Sequence, residues 1–105
     1  MAHIPVHIND IIQKYLAALN AHHIPIQRAF LFGSYAKGNY TEWSDIDLAV
    51  VSEIFEGKRF QDRKKVRPIT MSGSSLIEVL PYRPEDFTPD DPFVGEILKT
   101  GIQII

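Results

Sequence analysis

Cysteine is absent from this chain of 105 residues. That excludes a disulfide framework, a thiolate metal site and a cysteine nucleophile. No window approaches the roughly 18 consecutive apolar residues of a membrane span. The opening MAHIPVHINDII has neither a cationic start nor a continuous apolar run, so no signal peptide is expected. The expected compartment is the cytoplasm. Positive charge is not in excess: 11 Lys plus Arg stand against 13 Asp plus Glu, a net of −2. A nucleic-acid coat needs the reverse balance to neutralise phosphates, so nucleic acid is not expected as a direct ligand. There is no internal repeat and no low-complexity tract. A hydrophobic fraction of 45% with 23% charged residues is that of a folded globular chain and excludes a disordered one. The length gives one domain, 1–105, whose modest core leaves it marginally stable or leaning on a partner.

The apolar pattern divides the chain. Residues 7–21 read as a helix, with Ile11, Ile12, Tyr15, Leu16 and Leu19 at helical spacing and Asn9 or Asp10 as its cap. It stops at 20–23, before Pro25. Residues 26–32 read as a strand broken by Gly33-Ser34, followed by a short helix or turn ending at Gly38. Residues 46–51, IDLAVV, are a second strand. A short helix is expected over Phe60–Val66 and a third strand over 74–82, stopped by Pro81. A last helix covers Phe93–Lys99, and IQII closes the chain as an edge strand. Helices alternating with strands give an α/β (α+β) class with a small mixed sheet.

The stretch FLFGSYAKGNYTEWSDIDLAVV, 30–51, carries the chemistry. Asp45 and Asp47 sit two apart at the entry to a strand, so both carboxylates point the same way, with Cα atoms about 6.5–7 Å apart. Like charges on one face repel and resist burial unless something neutralises them. A divalent cation does so, and carboxylate plus phosphate oxygens is the ligand set that Mg²⁺ favours. Ahead of them, Gly33-Ser34 joins a strand to a helix start. Outward N–H groups there can meet an anion, glycine lets a phosphate approach the backbone, and the Ser34 hydroxyl adds a donor. Lys37 adds a positive charge one turn later. A phosphate cradle followed by an acid pair describes a site for a metal-bound nucleotide.

With those residues in place, the sequence resembles the DNA polymerase beta-like nucleotidyltransferase superfamily. Gly33-Ser34, ten residues, then Asp45-Ile46-Asp47 matches its GS-x10-DxD signature. GSYAKG resembles the family's GS-x-A-[RK]-G, and SDIDLAV its S-D-[IL]-D-L-x-V. The short length resembles the minimal nucleotidyltransferases. The resemblance implies a small palm, a mixed sheet of three or four strands with helices packed on one side. It implies two Mg²⁺ ions, ATP as substrate, Asp45 and Asp47 as metal ligands, and Gly33 and Ser34 on the β and γ phosphates. It also implies a third carboxylate on a neighbouring strand. The matching run is Leu76-Ile77-Glu78-Val79-Leu80, so Glu78 is the candidate, as general base or third metal ligand. Many members carry Asp there, and the added methylene moves the carboxylate outward by about one bond.

The acceptor comes from the resemblance alone. Minimal nucleotidyltransferases are commonly encoded beside a HEPN-domain ribonuclease, as antitoxins that transfer AMP to a Tyr of the toxin. The expectation is therefore a protein adenylyltransferase antitoxin, with a homo- or hetero-oligomer left open. Its rivals are an inactive palm that neutralises its partner by binding, and a dimeric small-molecule enzyme of the aminoglycoside-modifying type. Other features read as structural first. The run 58–67 holds six basic residues and one acidic one. It is a solvated helix face or loop before it is a triphosphate or partner site. Trp43 and Tyr40 either stack on a base or pack the loop. His22-His23 are adjacent, so on a helix they point about 100° apart and suit a helix end better than a metal. His3 and His7 lie near a terminus. The acidic, proline-broken segment 84–92 wraps the surface or meets a partner.

Overall fold

Ile8, Ile12, Tyr15, Leu16 and Leu19 fall on one stripe when wound as a helix. The computed structural model describes residues 4–72 and 76–105, and that stripe is the buried side of α1 (Val6–Ala21). The helix begins earlier than Asn9 or Asp10 would cap it. Pro5 holds the N-cap position, and its carbonyl accepts from the N–H groups of Ile8 and Asn9, each at 3.0 Å. At the other end His22 follows the last turn, its Nδ1 2.8 Å from the Ala18 carbonyl oxygen. The adjacent histidines thus finish a helix, as their spacing suggests.

After α1 come β1 (Arg28–Phe32), α2 (Ser34–Lys37) and β2 (Ile46–Val51). Then follow α3 (Arg59–Ser72), β3 (Ile77–Tyr82), a 3₁₀ turn at Pro84–Asp86, α4 (Pro92–Thr100) and β4 (Ile102–Gln103). The four strands form one mixed sheet in the order β3-β2-β1-β4. β1 runs antiparallel to β2 and β4, and β2 runs parallel to β3 through the α3 crossover. β4 is the edge strand expected at the end of the chain.

Strand alternation makes two cores. Leu31, Leu48, Val50, Ile77 and Val79 face α1 and α3, together with Val66 and Ile69 of α3. Tyr15 ties those two helices, its hydroxyl 2.8 Å from Thr70 Oγ1. The opposite face carries Phe30, Ala49, Val51 and Tyr82 under Phe87, Val94 and Ile97. The long helices do share one side, but α4 packs on the other, which corrects the expectation of a one-sided palm. The reason is visible in the strands. β2 is buried at five of its six positions, so both faces need cover.

Two boundaries also differ. α3 runs a turn and a half past Val66 and contains Pro68. Pro68 is exposed, and it lacks the amide that would bond back to the carbonyl of residue 64. β3 runs through Pro81, which pairs with Val50. An edge strand tolerates proline where the missing N–H faces outward. Residues 74 and 75 of the expected third strand lie outside the described residues.

Candidate active site

The end of β1 and the start of β2 meet in antiparallel register, Phe32 opposite Asp47. On the far side of β2, Asp47 is in parallel register with Glu78. Neighbouring strands lie about 4.8 Å apart, so Asp47 and Glu78 project side by side from one face. Asp45 precedes β2 and is exposed, as is Glu78, whereas Asp47 is half-buried.

What half-buries Asp47 is the turn after β1. Gly33 has φ 76° and ψ −149°, a backbone region open almost only to glycine. A Cβ there would run into Asp47 Oδ2 and lie 3.2 Å from Asp47 Cγ. The carboxylate therefore rests against the bare backbone of the Gly33-Ser34 turn. α2 is a single turn, and its first N–H groups have no intrahelical acceptors. Lys37 ends α2 and is exposed.

Asp47 makes no ion pair among the described residues. Burial pushes its carboxyl above the ordinary carboxylate range, and the charges of Asp45 and then Glu78 push it further the same way. The structure thus brings all three acids within electrostatic reach and places no cationic side chain against Asp47. Such a set suits a hard divalent cation. Among the described residues, no group of three or more His, Asp or Glu side chains converges closely enough to hold a metal unaided. A cation on Asp45 and Asp47 would draw its remaining ligands from phosphate oxygens and water, the usual habit of Mg²⁺.

Beside the acids lies a cleft of about 210 Å³ that the sequence reading missed, lined by Gly33 and Lys37 and by Phe93, Glu96 and Thr100 of α4. Phe93 is about half exposed and meets Phe32 edge-on, ring centroids 5.7 Å apart. Only the position of α4 over this face makes Phe93 a site residue, and nothing in the local sequence signals it. Of the two aromatics ahead of the acids, Tyr40 stacks on Tyr35 with centroids 4.6 Å apart. Trp43 stays 83% exposed.

The family profile described as "Nucleotidyltransferase domain" matches residues 12–99. That span takes in the glycine turn, the acid pair and Glu78. This chain belongs to the nucleotidyltransferase domain family. A crystal structure titled as that of a "putative nucleotidyltransferase" from Sulfolobus solfataricus superposes with a TM-score of 0.59 at 19% identity, covering 90% of this chain and 72% of that one. It supports the shared fold. Among named relatives, "Putative protein adenylyltransferase MJ0604" of Methanocaldococcus jannaschii is 55% identical over 29 residues, 28% of this chain and 29% of its own. "Putative protein adenylyltransferase MJ1305" of the same organism is 34% identical over 82 residues, 71% of this chain and 54% of its own. "Putative protein adenylyltransferase MJ0141" is 28% identical over 83 residues, 75% of this chain and 79% of its own. The nucleotidyltransferase thus spans under a third of the first of these relatives and about half of the second. No helix among the described residues is long and apolar enough to cross a membrane.

Proposed function

We propose that this nucleotidyltransferase moves AMP from ATP to a hydroxyl of a partner protein. The observation that carries the reading is Asp47: half-buried against the Gly33 backbone, its carboxyl raised by that burial and then by two neighbouring acids, and without an ion pair among the described residues. A structural carboxylate placed so would be costly, whereas one that awaits a cation and a triphosphate is explained. The named relatives support a protein acceptor.

Asp45 and Asp47 would hold Mg²⁺, which when bound neutralises charge on the triphosphate. The Gly33-Ser34 turn would receive the β and γ phosphates through its backbone N–H groups and the Ser34 hydroxyl, with Lys37 supplying positive charge beside them. The cleft between α2 and α4 would take the nucleoside, with Phe93 against the base. Glu78 would accept the acceptor's hydroxyl proton. The hydroxyl oxygen bonds to the α-phosphorus, the bond from that phosphorus to the bridging oxygen breaks, and pyrophosphate leaves. The resemblance to the minimal nucleotidyltransferases extends the proposal to a Tyr of a HEPN-domain ribonuclease as acceptor, with the chain as antitoxin in the cytoplasm.

The test is transfer of α-³²P label from ATP. Purified protein, Mg²⁺ and a lysate of its own organism should yield a labelled protein band. The band should vanish with Asp45→Asn/Asp47→Asn. Absence of any band with all four nucleoside triphosphates would overturn the reading. A label that appears on an added aminoglycoside instead would point to a small-molecule enzyme.

A further inference from the structure

The sheet ends openly at β3, its outermost strand on that side. In the pairing with β2, the Leu76 carbonyl accepts from Ile46 N–H at 2.8 Å and the Tyr82 carbonyl from Ser52 N–H at 3.1 Å. Residues of a parallel strand turn their polar groups alternately to either side. Glu78 and Leu80 therefore also face β2, and Ile77, Val79 and Pro81 face outward. Pro81 offers no N–H; Ile77 and Val79, 4% and 7% exposed with their side chains under α3, turn their N–H and C=O groups to a side that has no partner strand among the described residues.

Along this edge runs α3. Arg59, Arg63 and Arg67 are four residues apart, so they share one flank of the helix. Arg63 and Arg67 line a groove of about 270 Å³ together with Ile77, Glu78 and Val79. Arg59 lines a separate surface past Pro81 and Tyr82 that also carries Asp62, Glu85, Asp86, Asp90 and Asp91, so the cationic part of this edge is Arg63 and Arg67. All three arginines are exposed, and none is paired with a carboxylate among the described residues. Their spacing has a natural match. Four residues of helix rise about 6 Å, and alternate side chains of a strand recur every 6.5–7 Å or so.

We propose that this groove docks an extended, acidic segment of the acceptor protein, which adds to β3 as a strand and lays alternate carboxylates on Arg63 and Arg67. The proposal rests on the reading of the chain as a protein nucleotidyltransferase and names where its acceptor binds. The open edge selects peptide over nucleic acid, because alternating N–H and C=O groups are complemented by another peptide backbone. Glu78 lies in the groove wall between Ile77 and Val79, so a hydroxyl on a segment seated there comes beside one of the three acids.

A fluorescein-labelled peptide of alternating Glu and Val, twelve or so residues long, tests this without nucleotide or acceptor. It should raise fluorescence anisotropy on binding the wild-type protein, with an affinity that falls as salt rises. It should also shift and protect the backbone amides of Ile77 and Val79 in two-dimensional NMR with hydrogen exchange. Arg63→Glu/Arg67→Glu should weaken binding at least tenfold while its circular dichroism and melting stay those of the parent. Arg63→Lys/Arg67→Lys should retain most of the binding, since the charges remain. No binding, equal binding of a Lys–Val peptide, or amide shifts away from β3 would overturn the proposal. Stronger competition by a single-stranded RNA than by the peptide would reassign the face to nucleic acid. Failure of label transfer with peptide binding intact would refute the enzymatic reading and leave the groove standing.

Discussion

Gly33→Ala is the sharpest probe of the site, because two separate costs meet at one atom. The first is conformational. At φ 76° and ψ −149° an L side chain is strained, at about 1–3 kcal/mol. The second is steric. The new Cβ would occupy the place of Asp47 Oδ2, and relieving such overpacking costs a further ~1–3 kcal/mol. The expected total is about 2–6 kcal/mol of lost stability, read by urea unfolding followed by far-UV circular dichroism. Trp43 is 83% exposed and would report poorly by fluorescence. Asp47→Ala by itself should be neutral or stabilising, since it removes a charge that burial and two acids disfavour. The double variant should recover the steric part and keep the conformational part. The thermodynamic cycle should therefore return a coupling equal to that steric part, about 1–3 kcal/mol. A Gly33→Ala cost under about 0.5 kcal/mol, or a cycle with no coupling, would refute the claim that Asp47 is held against this turn.

Asp62 is 1% exposed and accepts from the N–H groups of Glu56 and Gly57 at 2.8 and 2.9 Å. Asp62→Ala should lose about 2–3 kcal/mol in urea unfolding, because two amides lose a charged acceptor. Tyr15→Phe removes the 2.8 Å hydrogen bond to Thr70, and about 0.5–1.5 kcal/mol of stability should go with it. The pH dependence has a worked sign. A carboxyl raised above its ordinary 3.8 binds its proton more tightly when folded. Its contribution is fully present below 3.8 and is lost as pH rises through the raised value. Wild-type minus Asp47→Asn stability, measured without divalent cation, should therefore fall as pH rises through the acid range; a flat difference would contradict the raised carboxyl. Mg²⁺ with ATP should remove that fall, since both displace the proton from Asp47 in favour of a cation. Asp86, lowered by its forked pairing with Arg83, should behave oppositely and lose its contribution as pH drops through its lowered value.

The legible parts of the molecule are those with local chemistry. Asp45 and Asp47 at a spacing of two, and a glycine at the strand end, specify a strand entry and a tight turn whatever surrounds them. Apolar periodicity likewise marks α1, because its buried side comprises the very residues that recur at helical spacing. What was not legible depends on the other side of an interface. The short helix expected over Phe60–Val66 runs on to Ser72 through Pro68, and nothing local marks that extension. Pro81 reads as a strand stop until β3 proves to be the outermost strand, where a missing N–H costs nothing. Phe93 has no local mark at all. It becomes a cleft residue because α4 crosses to the face opposite α1 and α3. Glu78 sits between these cases: the family resemblance implies it, and its register beside Asp47 needs the sheet.

The turn after β1 also explains why Asp47 is costly to the free fold. An exposed acid pair at a strand entry would be well hydrated and nearly free of cost. Here Phe32 stands opposite Asp47 on the neighbouring strand and the Gly33 turn closes over it, and burial is the largest cause of its raised carboxyl. Lower local dielectric strengthens repulsion from Asp45 and Glu78, and by the same Coulomb factor it strengthens attraction to a cation and its triphosphate. The arrangement that makes Asp47 a liability to the free fold is thus the one that would make it a tight ligand in the proposed reaction, and Gly33 is the residue whose missing side chain permits both.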